Sequence, residues 1–349
     1  MEIEKAVYAV TRLINVAGTH MNALTRKKYL QGKVALLNDD EKQSLVIVLK
    51  AVAMLVYGGE MEVLRDPSKF DDEQATGGPN FNHSWGQIAS MVVLQVIKAA
   101  DPSFDEQDSP TKEDYIVAKK VLTAIGSASL SSDTVTDLDP GVRSKSPEHL
   151  SGYDTLYRGL KDVPDRIIRR VAIKKPWSIK HGVSTSYEKQ TAKDFAGLQN
   201  DGTASGGGPS VFFTINNPEK KGFIADTLSD YGEYEVVLSG DFQINSWILS
   251  ARGRMSGIVN AVGWSKSPVG LRTLMQANSE TMEIKFIYKP LKRIDVLTFD
   301  DNQLFLDAVD KYAFNQSKFE SDKLGMPNNI SKWVPSRGSV LIAADVTLI

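Results

Sequence analysis

Two glutamates spaced by two, Glu233 and Glu235, lead into an apolar Val236-Val237-Leu238 run. On a strand that spacing puts both carboxylates on one face. Such a pair can line a cleft, or it can sit on a solvated strand edge. Upstream, Lys180-His181-Gly182-Val183 reads as a strand that ends in Ser184-Thr185-Ser186. Small hydroxyls can hold a carboxylate without filling a pocket, though such triplets also end ordinary strands and cap helices. Further upstream, Tyr157-Arg158-Gly159 closes another strand-like run. A guanidinium there can grip a pyrophosphate bidentately, and a glycine can let backbone approach a planar ligand such as nicotinamide. An ordinary strand-end arginine carries the same sequence.

Taken together, these segments resemble the arginine–serine–glutamate class of mono-ADP-ribosyltransferases, which includes clostridial binary-toxin enzymes and small phage enzymes that modify host proteins. The order matches, and so do the flanks. Tyrosine precedes and glycine follows Arg158, a helix is expected after the serines, and Ile224-Ala225-Asp226 precedes the glutamates. Arg158 and Ser184 are 26 positions apart, and Ser184 and Glu233 are 49 apart. The resemblance spans residues 150–250 firmly and extends over 111–290, with none over 1–60 or 300–349.

The resemblance implies an α+β ADP-ribosyltransferase fold, with two packed, mostly antiparallel sheets and NAD in a cleft between them. NAD would be a substrate, and no metal is implied. Breaking the nicotinamide–ribose bond develops positive charge on the sugar, as in glycoside cleavage. A fixed carboxylate beneath it stabilises that charge, and by resemblance Glu235 fills this role with Ser184 orienting it. Glu233 would orient the attacking arginine of a target protein and help remove its proton. Tyr231 would meet that target. Arg158, Gly159, Ser184, Thr185 and Ser186 would contact the cofactor. The family's loop aromatic and basic group are missing from Gln199–Pro209, so Phe195 and Phe212 stand as substitutes for the nicotinamide stack or as core residues. Gly206-Gly207-Gly208 can supply backbone donors to an anion or form a mobile run.

Composition bounds these readings. The chain has 349 residues, 42% hydrophobic and 24% charged, with a formal net charge of -2. That charge gives no electrostatic case for nucleic-acid binding. With no cysteines, disulfides, thiolate–zinc sites and a thiol nucleophile are excluded. The four histidines, His20, His83, His149 and His181, lack zinc-ligand spacing. Met1–Lys5 lacks the basic region and apolar run of a signal peptide, and Lys50 interrupts the apolar stretch 45–57, short of a membrane span. A cytoplasmic protein is expected, acting in a host cell if phage-encoded, or packaged in a virion.

The elements that must position these residues fall into parts. Residues 1–126 read as mainly helical, with apolar spacing over 4–18, a capping box at Asn38 and Glu41, a buried helix over 85–100, and Thr111 and Asp114 capping a helix whose face is Val117, Ala118, Val121, Leu122 and Ile125. Part of this region is expected to belong to the core. Residues 127–150 read as a linker, 151–300 as the catalytic core, and 301–349 as an extension or completion of that core. Strands are expected at 154–158, 180–184, 211–215, 235–239, 242–249, 282–288, 293–298 and 339–348, and helices at 187–198 and 304–314. The basic cluster Arg166, Arg169, Arg170, Lys174 and Lys175, and the pair Arg252 and Arg254, are read as solvated surface. The function expected is arginine-specific protein ADP-ribosylation. NAD hydrolysis is a rival activity, and a structural protein with a degenerate transferase fold is a rival class.

Overall fold

The computed structural model describes residues 28, 31–32, 34–56, 66–70, 84–88, 91–127, 151–224, 234–256, 271–289, 292–315 and 332–349. The expected helix over 4–18 and the linker from 128 onward lie outside these residues.

Both expected capping boxes form. The Asn38 N–H donates to Glu41 Oε2 at 2.9 Å, and the Glu41 N–H donates to Asn38 Oδ1 at 2.9 Å. They open α1 (Asp39–Val56). Thr111 and Asp114 close the second box and open α4 (Lys112–Gly126), after α2 (Trp85–Ile88) and α3 (Met91–Ala100). Each box satisfies amide donors that a helix start leaves without partners. Ala118, Val121, Leu122 and Ile125 of α4 are buried, as their spacing predicts, together with Tyr115. They pack with Leu45, Val48, Leu49 and Val52 of α1 in a helical core that also takes in Val237 of the sheet. Helix α4 is therefore the layer that joins the helical region to the strands. No helix among the described residues is long and apolar enough to cross a membrane.

The rest is mixed α/β with one large sheet. Its strands are β1 (Thr155–Leu160), β2 (Trp177–Ser186), β3 (Ser210–Asn216), β4 (Phe223–Ile224), β5 (Glu235–Ser256), β6 (Leu271–Asn278), β7 (Glu283–Lys289), β8 (Arg293–Thr298), β9 (Lys332–Pro335) and β10 (Leu341–Leu348). Between them lie α5 (Asp165–Ala172), α6 (Lys189–Ala196) and α7 (Asn302–Phe314). The order is β10-β3-β1-β2-β5-β6-β7-β8, with β4 and β9 also on β5. All pairings are antiparallel except β10 with β3.

Two separate sheets were expected, and one hydrogen-bonded network forms. The reason is β5, a single strand where two were expected. It pairs with β2 over its first part, with β10 over 242–250, and with β6 over 248–255. Gly240, at φ 149°, lets the strand continue through the break that Gly-Asp suggests in the sequence. Because β10 pairs with both β3 and β5, strands β10, β3, β1, β2 and β5 form a closed circuit. The last residues thus complete the core rather than extend it.

The main core lies inside this circuit and beneath α5 and α7. Trp247 stacks on Phe305 at 5.6 Å and donates its indole N–H to the Ala172 carbonyl at 2.9 Å. Trp333 likewise donates to the Tyr312 carbonyl at 3.0 Å. Both tryptophans are buried with the indole N–H satisfied.

Candidate functional site

The three motif segments meet on adjacent strands. Tyr157 of β1 pairs with Ser186 of β2, and Ser186 pairs with Glu235 of β5. Directly paired residues point to the same face, so a ring, a hydroxyl and a carboxylate form one row. Ser186 and Glu235 are each only 5% exposed. Ser184 pairs with Val237 and shares this face, one repeat further along. The hydroxyl directly opposite Glu235 is therefore Ser186, not the Ser184 that the resemblance assigns.

Local bonds fix the row. Thr185 points the other way and donates its hydroxyl to the Val236 carbonyl at 2.6 Å. Ser186 Oγ accepts from the Glu188 N–H at 3.0 Å, which turns the chain from β2 into α6. The Tyr187 N–H donates to the Tyr234 carbonyl at 3.1 Å, and their rings meet edge-on at 5.4 Å. Tyr234, the residue before Glu235, has φ of 53°, a region that costs a non-glycine residue roughly 1–3 kcal/mol. Glu233 and Tyr231 lie outside the described residues.

Arg158 stands next to this row but faces away from it. It pairs with Phe213, whose ring belongs to the main core, whereas Tyr157 stacks on Phe212 at 6.1 Å on the other face. The Arg158 Nη1 donates to the Ser184 carbonyl. Strand alternation explains the split: Tyr157, one residue earlier, holds the position on the Glu235 face. In this structure Arg158 holds β2 and lines the opposite side, where the expected pyrophosphate grip beside Glu235 would need it turned around.

Gly159 does permit a close approach, but the approaching backbone is α6: an added Cβ would lie 1.8 Å from the Ala192 carbonyl oxygen and 2.6 Å from the Ala196 nitrogen. Phe212 is 6% exposed in a small cluster with Ala192, Ala196 and Leu341, so its ring is core and not open to a ligand. Phe195 on α6 is 52% exposed. The glycine-rich loop is anchored. Its Gly208 N–H donates to Asp162 Oδ1 at 2.7 Å, so the protein's own carboxylate takes a donor expected for an anion. Arg252, read as solvated surface, donates its Nε to Asp201 Oδ2 at 3.1 Å and ties the loop to β5. Burial opposes the Asp201 charge, but bonds from Thr203 and Arg252 hold its carboxyl below the ordinary range.

The basic cluster is largely exposed, as expected: Arg166, Arg169, Lys174 and Lys175 are exposed and Arg170 is half-buried. Its three arginines lie on α5, a helix not expected from the sequence, and Lys174 and Lys175 follow it; Pro164 at the N-cap and Ile167, Ile168 and Val171 on one side were the signals. Arg169 pairs with Asp310 and lies over Phe314. Arg166 and Arg170 line a pocket of about 400 Å³ together with Arg158, Trp177 and Phe213. Arg170 lies over the Trp177 ring at 5.2 Å. No group of three or more His, Asp or Glu side chains among the described residues is placed to hold a metal ion.

Compared with protein families, with curated proteins and with solved structures, the chain matches none.

Proposed function

We propose that this chain transfers ADP-ribose from NAD to arginine side chains of a target protein, with Glu235 as the carboxylate beneath the reacting ribose. The observation that carries the reading is the row Tyr157–Ser186–Glu235 across three adjacent strands, with carboxylate and hydroxyl both buried. A carboxylate fixed by a sheet costs little reorganisation when positive charge develops beside it. The bond from ribose C1′ to the nicotinamide nitrogen breaks, and nicotinamide leaves with the bonding electrons. A guanidinium nitrogen then bonds to C1′ and loses its proton, for which Glu233 is the proposed acceptor. Ser186, by its register, joins Ser184 as a group that orients Glu235. Arg158 is a positioning residue that holds β2 through the Ser184 carbonyl. On this reading the strand circuit is a transferase core and NAD lies against its Glu235 face, between the areas covered by α4 and α6.

The test is incubation with labelled NAD and a bacterial lysate, followed by mass spectrometry of the labelled proteins. Label on arginine side chains, lost in Glu235→Gln, supports the reading. Release of nicotinamide without any labelled protein would make the chain a hydrolase, and absence of both would return it to a non-enzymatic role.

A further inference from the structure

We propose that the pocket beside α5 is a second ligand site, separate from the Glu235 row, built for a nucleotide whose phosphates meet Arg158, Arg166 and Arg170. The pocket holds about 400 Å³, within the range of small-molecule sites. It opens on the face of β1 and β2 opposite Glu235, since Arg158, Val183 and Phe213 line it and all three belong to that face. Three guanidiniums are among its lining residues, and no Asp or Glu is. Among the described residues, the acid paired with this helix's arginines is Asp310, which Arg169 takes, and Arg169 does not line the pocket.

Arg166 and Arg170 have no carboxylate partner among the described residues. Arg166 is exposed. Arg170 donates Nη2 to the Pro176 carbonyl at 3.2 Å, while its Nε is buried with no hydrogen-bond partner. A buried donor left without an acceptor is costly, and a phosphate oxygen would satisfy it. Converging guanidiniums suit phosphate because each can bond bidentately. The pocket also has an aromatic side, where Arg170 lies over the Trp177 ring. Trp177 meets Phe213 edge-on at 5.7 Å, with Phe242 beside them. Such surfaces accept a planar base. The juxtaposition of a cationic rim and an aromatic wall selects a nucleotide over inorganic phosphate. This pocket would hold its ligand whether or not Glu235 acts on NAD.

Calorimetric titration with ADP, and with inorganic pyrophosphate as the ringless control, tests the site on the full chain. ADP should bind this pocket more tightly than pyrophosphate does, as the component of binding that Arg166 substitutions weaken. Arg166→Gln, at an exposed side chain whose loss should not unfold the protein, should weaken ADP about tenfold, and the Arg166→Gln/Arg170→Gln pair further. Arg166→Lys should recover only part of the loss, because lysine lacks the fork. Glu235→Gln should leave ADP affinity unchanged even if it abolishes action on NAD. No ADP binding to the wild-type chain, ADP binding no tighter than pyrophosphate, or ADP binding that is equal in the wild type and Arg166→Gln would each overturn the proposal.

Discussion

On one face of β1, β2 and β5 stand Tyr157, Ser186 and Glu235; on the opposite face of β1, β2 and β3 stand Arg158, Val183 and Phe213. The first face is acidic, hydroxylated and flanked by α6 and α4. The second is apolar at its base and cationic at its rim, where α5 brings Arg166 and Arg170 beside Arg158. A single residue step separates the two chemistries because a strand turns alternate side chains to opposite sides. Residues adjacent in sequence, such as Tyr157 and Arg158, therefore face opposite sides of the sheet. The Arg158 bond to the Ser184 carbonyl links the two faces through the strand backbone.

Neighbouring phenylalanines offer the largest effect. Phe212 and Phe213 are each 6% exposed, but they face opposite ways. Either change to alanine should cost about 3–5 kcal/mol of stability. Only Phe213→Ala should also weaken ADP in the arginine pocket. Exposed Phe195→Ala should stay within about 0.5 kcal/mol. Melting curves with and without ADP separate the three, and equal ADP effects at 212 and 213 would break the division of faces.

Arg158→Lys comes next. Removing a charged hydrogen bond should cost about 1.5–3 kcal/mol. If Arg158 positions β2, turnover of NAD should fall with KM for NAD little changed. A rise in KM with turnover intact would instead put the guanidinium on the cofactor. Gly159→Ala sharpens the acidic face: its Cβ has no room beside Ala192 and Ala196, so overpacking should cost roughly 1–3 kcal/mol. Hydrogen exchange should then rise in α6 and not in α5.

The smallest effect is pH-dependent. The Asp201 carboxyl lies below its ordinary 3.8, so the stability its bonds to Thr203 and Arg252 supply is full above that value. It is lost as pH falls through the lowered folded value. Acid unfolding of Asp201→Asn should lack this component, which a comparison of melting temperatures from neutral pH to below pH 3.8 would detect.

Much of the fold was legible because local signals agreed with the tertiary result. The Thr111–Asp114 box and the spacing of Ala118, Val121, Leu122 and Ile125 specify α4 before any neighbour is known. The motif strands likewise announced themselves through β-branched runs. What was not legible had weak local signals. In β6 the buried alternate positions are Thr273, Met275 and Ala277, which show little apolar contrast with their neighbours. Helix α5 is eight residues long and carries four charges, too short and too polar for its apolar side to stand out as a period. The closed circuit depends on β10 pairing with β3 and β5, a long-range event with no local signature. The same holds for the site. Residue types named Arg158, Ser184 and Glu235, but only register shows Ser186 opposite Glu235 and Arg158 on the far face.

The most direct measurement is nicotinamide release and arginine labelling by wild-type protein and Glu235→Gln, with labelled NAD and a lysate as acceptor. The substitution keeps shape and removes charge. Both activities should fall by about 10²- to 10³-fold while the melting curve stays cooperative. A wild-type chain that neither cleaves NAD nor labels protein, or a Glu235→Gln chain as active as wild type, would contradict the assignment of Glu235 as the catalytic carboxylate.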